Sequence, residues 1–83
     1  TDDSTTVVLR NKITELAHCI DPALSIHDFR MVPGPTHTNL IFDVVTPFGF
    51  RLEDAEVARQ LRALIRTFDS HYVPVIQVEH SYI

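Results

Sequence analysis

Residues 25–45, SIHDFRMVPGPTHTNLIFDVV, constrain this chain more than any other stretch. Two runs alternate between apolar and polar residues, and Pro33-Gly34-Pro35 interrupts them. Alternation with a period of two is the pattern of strands that bury one face. Glycine supplies a positive φ and proline presets its own, so the interruption is a turn. The two runs therefore predict an antiparallel hairpin, with a first strand over Ser25 to Val32 and a second over Thr38 to Val45. Thr46-Pro47-Phe48-Gly49-Phe50 follows as a loop.

On either side of the hairpin the period changes. Leu9, Ile13, Leu16 and Ile20 recur at helical spacing and predict a helix over roughly 5–19. Pro22 ends it, because proline biases its predecessor away from helix. Asp2, Asp3 and Ser4 supply negative charge and capping oxygens at its start, and residues 1–5 are expected to fray. Beyond the hairpin, Val57, Ala58, Leu61, Leu64, Ile65 and Phe68 share one face. Arg59, Arg62 and Arg66 share the other, which gives a second helix over about 52–67, opened by Glu53 and Asp54. Asp69 and Ser70 stop it, and a last strand is expected from Val73 to His80. Pro74 marks that strand as an edge.

The order is α-β-β-α-β. The last strand returns through a helix, so it should lie parallel to the second. The expected architecture is α+β: a three-stranded mixed sheet with the second strand central and both helices on one face. It resembles a ferredoxin-like, metallochaperone-like sandwich that lacks its first strand. With the turn centred on Gly34-Pro35, His27 falls opposite Phe42 and Phe29 opposite Leu40. Phe29, Met31, Leu40, Phe42, Val44, Ile76 and Val78 then form the core face, with His27 and His80 at its rim. Ile26, Asp28, Arg30, Val32, Asn39, Ile41, Asp43, Val45, Val75, Gln77 and Glu79 form the other face. Val32, Ile41, Val45 and Val75 are more apolar than solubility requires, which suits contact with another subunit.

At 83 residues the chain makes one small domain, and small cores often need a partner. Its net charge of −4 and lack of a basic run argue against nucleic acid as a partner. The single Cys19 excludes an internal disulfide and any CxxC motif. No apolar run approaches the ~20 residues of a membrane-spanning helix. The chain begins at Thr1 without methionine and reads as a piece of something longer.

Ile26-His27-Asp28-Phe29-Arg30, then Gly34-Pro35-Thr36, then an apolar second strand, and finally Val-Ile-Gln-Val-Glu-His at 75–80 carry a resemblance. With the α-β-β-α-β order, they are similar to the cytosolic C-terminal domain of cation diffusion facilitator transporters. The similarity covers nearly the whole chain from the first helix onward. It implies a homodimeric regulatory domain attached to a membrane-embedded domain of the same chain, which exchanges zinc, iron or manganese for protons at a cell membrane. It also implies divalent cations bound at or near the dimer interface. The first-strand histidine of zinc-binding members matches His27. Their second-strand histidine falls on Phe42, and their third-strand pair, a histidine and an acid, falls on Val78 and His80. Two of those four positions thus lack a ligand, and one carries imidazole in place of carboxylate.

His27 and His80 are accordingly the leading metal-ligand candidates, with His18 and Cys19 at the end of the first helix behind them. Each has a plain structural alternative. His27 can cap the core by bonding a carbonyl or Asp28, and His18 and Cys19 can pack a helix end. His37 and His71 belong near the hairpin and read as solvated. Zinc or a similar borderline ion suits imidazole. Two imidazoles alone bind weakly, so a third ligand or a second subunit is required. No catalytic residues and no other cofactor are expected. Ser25, His27 and Asp28 have the composition of a triad, yet His27 and Asp28 are strand neighbours and point to opposite faces. The competing reading is a free-standing ferredoxin-like or ACT-like module that binds a small molecule, or one that only dimerises.

Overall fold

The computed structural model describes residues 4–82. Its elements are α1 (Ser4–Ile20), β1 (Ser25–Pro33), β2 (Thr38–Pro47), α2 (Asp54–Phe68) and β3 (Tyr72–Ser81). In space the strands run β1-β2-β3, with β1 antiparallel and β3 parallel to β2. The α-β-β-α-β order and the mixed three-stranded sheet read from the sequence are both present. No helix among the described residues is long and apolar enough to cross a membrane.

Both helices lie on one side of the sheet. α1 packs on β1, α2 packs on β3, and the helices touch each other. Their stripes meet the sheet through Leu9, Ile13 and Ala17 from α1 and Val57, Leu61 and Ile65 from α2. β2 supplies Leu40, Phe42 and Val44, and Leu24 plugs the turn before β1. Phe29, Met31, Ile76 and Val78 close the edges of this core. The expected core face is therefore correct for all seven of its residues.

β2 also buries Thr38 and Thr46, one at each end. The Thr38 hydroxyl bonds His71 Nε2 at 3.0 Å, and that of Thr46 donates to the Glu79 carbonyl at 3.4 Å. Polar groups bonded in this way do not carry the cost of an unmade bond.

Pro74 sits where a proline harms the sheet least. The His71 and Ser81 carbonyls accept from the Thr38 and Phe48 N–H groups, so that parity of β3 faces β2. Pro74 has the other parity and turns its backbone outward. Its missing N–H removes no ladder bond and leaves the open edge one donor short.

The connections depart from the sequence reading at three places. Thr46 and Pro47 belong to β2, because both stay in register with β3, and the loop begins at Phe48. Phe50 packs against the core as expected, whereas Phe48 is 70% exposed and rests on Tyr82 at 4.9 Å between ring centroids. Gly49 between them takes φ 75, which admits glycine readily. α2 starts at Asp54 after an extended Glu53, whose side chain makes no capping bond. Asp2 and Asp3, expected at the start of α1, lie outside the described residues, and Ser4 to Thr6 are already helical.

Charged pairs hold the ends. Asp21 accepts from the Ala23 N–H at 2.8 Å and from Arg51 Nε at 3.2 Å. The Ala23 N–H first, and Arg51 after it, hold the Asp21 carboxyl below its usual range. Arg51 also donates to the last carbonyl of α1, on Ile20, at 3.0 Å. In the first turn of α2, Glu56 takes two bonds from Arg59 and one from Gln60. Arg59 is the main reason its pKa falls from 4.5 to about 2.

Two outcomes follow. Leu40→Ala empties a fully buried site on the central strand and should cost about 2–5 kcal/mol in urea unfolding. Phe29→Ala, on a half-buried edge position, should cost less; the reverse ranking would contradict the core assignment. The native state holds the Glu56 proton less tightly than the unfolded state. Its stabilising effect is therefore full above the unfolded pKa and disappears as pH falls from about 4.5 to about 2. Glu56→Gln should flatten acid unfolding across that window and leave its slope near neutrality unchanged.

Candidate metal and interface site on the open sheet face

The face of the sheet away from the helices is defined by the register of the hairpin, which differs from the sequence reading twice. The loop is residues 34–37, closed by the Gly34 N–H donating to the His37 carbonyl at 2.9 Å. A Cβ on Gly34 would meet that same oxygen at 2.9 Å, so only glycine fits without a shift. This loop pairs Met31 with Leu40 and Arg30 with Ile41, in place of Phe29 with Leu40. Between Arg30 and His27 the register slips again, by one residue. Asp28 is the inserted residue of a bulge and adopts φ 55, a conformation that aspartate tolerates better than most.

A one-residue slip exchanges the two faces of a strand. Phe29 stays on the core side and stacks on Phe42 at 5.9 Å between centroids. Beyond the bulge, Ile26 pairs with the buried Val44 and packs on the core. His27 is thereby turned to the open face, opposite Asp43. The expected placements of Ile26 on the open face and of His27 on the core rim, opposite Phe42, are both reversed.

Four rows cross the open face in register. Val32, Asn39 and Val73 form the first, and Arg30, Ile41 and Val75 the second. His27, Asp43 and Gln77 form the third, and Ser25, Val45 and Glu79 the fourth. Half of the face, toward the hairpin, is thus mainly aliphatic around Asn39 and Arg30, and its Val32, Val73 and Val75 are 47%, 41% and 50% exposed. The other half carries an imidazole, two carboxylates and an amide. Directly opposed residues on antiparallel strands have Cβ atoms about 4.5–5.5 Å apart, so His27 and Asp43 are neighbours.

His80 is elsewhere. It pairs in register with Thr46, whose side chain is buried on the helix side, and its Nε2 lies 2.8 Å from Asp54 Oδ1 at the start of α2. His27 and His80 therefore occupy opposite faces and opposite edge strands, and the fold does not bring them together. The His18 Nε2–H donates to the Leu24 carbonyl at 3.0 Å and ties the end of α1 to the turn below it. Cys19 is an exposed free thiol next to it. His37 and His71 sit at the hairpin end as expected, bonded to Thr36 and Thr38. Among the described residues no three His, Cys, Asp or Glu side chains converge.

Ser25 Oγ lies 3.1 Å from His27 Nε2, since residues two apart on a strand share a face. Asp28 takes no part, and the pair is exposed to solvent. Asp43 is the residue that sequence reasoning misses as a partner for His27. The available signal is Asp28 itself, a residue tolerant of positive φ inside an otherwise regular strand. No family model, curated protein or solved structure matches this chain.

The bulge is testable through its backbone. Asp28→Gly removes the left-handed penalty and should leave stability unchanged or raise it. Asp28→Val puts a β-branched residue at φ 55 and should cost about 1–2 kcal/mol in chemical denaturation. Equal stabilities of the two variants would count against the bulge.

Proposed function

We propose that this chain is the regulatory and dimerising domain of a divalent-cation efflux transporter, the class that its sequence resembles. In this reading the domain lies on the cytoplasmic side, and a membrane-embedded domain of the same protein carries the ions. The observation that supports it best is the one-sided architecture. Two helices cover one face of the sheet, and the other face offers aliphatic rows beside the His27–Asp43 pair. A second copy of the chain would cover that face and extend a small core.

The donor set is tested by counting. Structural zinc takes four protein ligands, and His27 with Asp43 supplies two. One chain alone does not make a site, whereas two copies meeting at this face would offer two imidazoles and two carboxylates. Zinc or a similar borderline ion suits such a set. The ion would supply positive charge between carboxylates that otherwise repel. His80, bonded to Asp54, is not needed for it.

Light scattering with and without zinc, at tens of micromolar protein, tests the reading. The wild type should scatter at twice the 9.5 kDa chain mass and tighten its dimer with zinc. His27→Ala or Asp43→Asn should remove the zinc response, and His80→Ala should keep it. A dimer indifferent to zinc would favour the purely dimerising module, and a monomer under all conditions would refute the proposal.

A further inference from the structure

A groove of about 520 Å³ opens where the first turns of α1 pass the end of α2 and the start of β3. Val8, Leu9, Phe68 and Tyr72 line it with Ser4 and Thr5 at one end, and Lys12 is the one charged residue on its wall among the described residues. Val8 is 67% and Phe68 43% exposed, although the core stripe of α1 is complete without Val8. Phe68 stacks on Tyr72 at 6.3 Å between centroids, which makes a flat aromatic wall. The Lys12 ammonium stands 5.3 Å from the centre of the Phe68 ring. Among the described residues its carboxylate partner is Glu15, 3.9 Å away, at the limit of an ion pair and exposed. Such pairs are weak, so the ammonium is free to take a better anion.

We infer that this groove binds a single-chain amphiphile with a carboxylate head, of the fatty-acid class. An apolar cleft with few convergent polar groups is the usual form of a small-ligand site. Here the aliphatic and aromatic wall takes the chain, and Lys12 takes the carboxylate. Burial of methylene groups against Val8, Leu9 and Phe68 supplies affinity, and the single ammonium selects the sign of the head. The groove shares no residue with the His27–Asp43 face, so the inference does not depend on the transporter reading.

The probe is octanoate below its micellar concentration, titrated into the isotope-labelled chain and followed by amide shifts. Octanol, of equal chain length and no charge, is the matched control. Octanoate should saturate with shifts centred on Val8, Lys12, Phe68 and Tyr72, and bind about tenfold or more tighter than octanol, as expected for one charge-assisted contact. Lys12→Gln should bring octanoate to the octanol level and leave octanol unchanged. Val8→Asp should weaken both ligands. Equal affinities in the wild type, an unaffected Lys12→Gln variant, or shifts away from the groove would overturn the inference. So would binding to phospholipid vesicles without binding to octanoate, which would make the groove a membrane contact.

Discussion

The fold depends on β2. Alternate residues of this strand, Thr38, Leu40, Phe42, Val44 and Thr46, are all buried, and both other strands are positioned by pairing with it. β1 binds one edge through the hairpin and β3 binds the other through the α2 crossover. Helices over β1 and β3 then converge on the side chains of the strand between them. A central strand can be read as a two-way constraint. Its hydrogen bonds fix the order of the sheet, and its alternation decides which face the helices may cover. Phe42 and Val44 leave no alternative, since exposing them would give up about 1.5–3 kcal/mol each.

Most of this was legible in the sequence because local signals agree with one another. The stripe of α2, the stop at Asp69-Ser70, and the breaker Pro33-Gly34-Pro35 each point to the same element order. The bulge at Asp28 was not legible from alternation alone. Its logic is one of competing magnitudes. A left-handed residue costs about 1–2 kcal/mol. Turning Ile26 inward in place of His27 gains much of an isoleucine side chain's burial and spares the desolvation of an imidazole. The second effect is at least as large as the first, and aspartate reduces the first. Comparing both registers by what each buries, and not by alternation, finds the slip.

The candidate site was only partly legible for the same reason. All five histidines have a hydrogen-bond partner, and those partners rank them. His18 ties the end of α1 to the following turn through a carbonyl, His71 satisfies the buried Thr38, and His80 bonds a carboxylate across elements. His37 bonds its own neighbour, Thr36. His27 bonds only an exposed serine on its own strand, and a carboxylate stands opposite it. Water replaces a solvent-exposed hydroxyl bond at little cost. His27 is thus the histidine most readily given to another ligand on a face that the fold leaves open. His80 stood out in the sequence through its position at the strand end, but its place on the helix side commits it to Asp54.

A half-site has a consequence that a complete one lacks. A chain holding two of four ligands binds an ion weakly alone, while two chains together bind it well. The ion then prefers the dimer, and by linkage it stabilises the dimer by RT ln(1 + [L]/Kd), about 2.7 kcal/mol at a hundredfold excess over Kd. The same free energy appears as tighter ion binding by the assembled pair than by the single chain. Completing the site within one chain would raise affinity and remove this coupling, because monomer and dimer would then bind alike. In the proposed dimer, the absence of a third ligand around His27 and Asp43 among the described residues is what would let ion concentration be read as association.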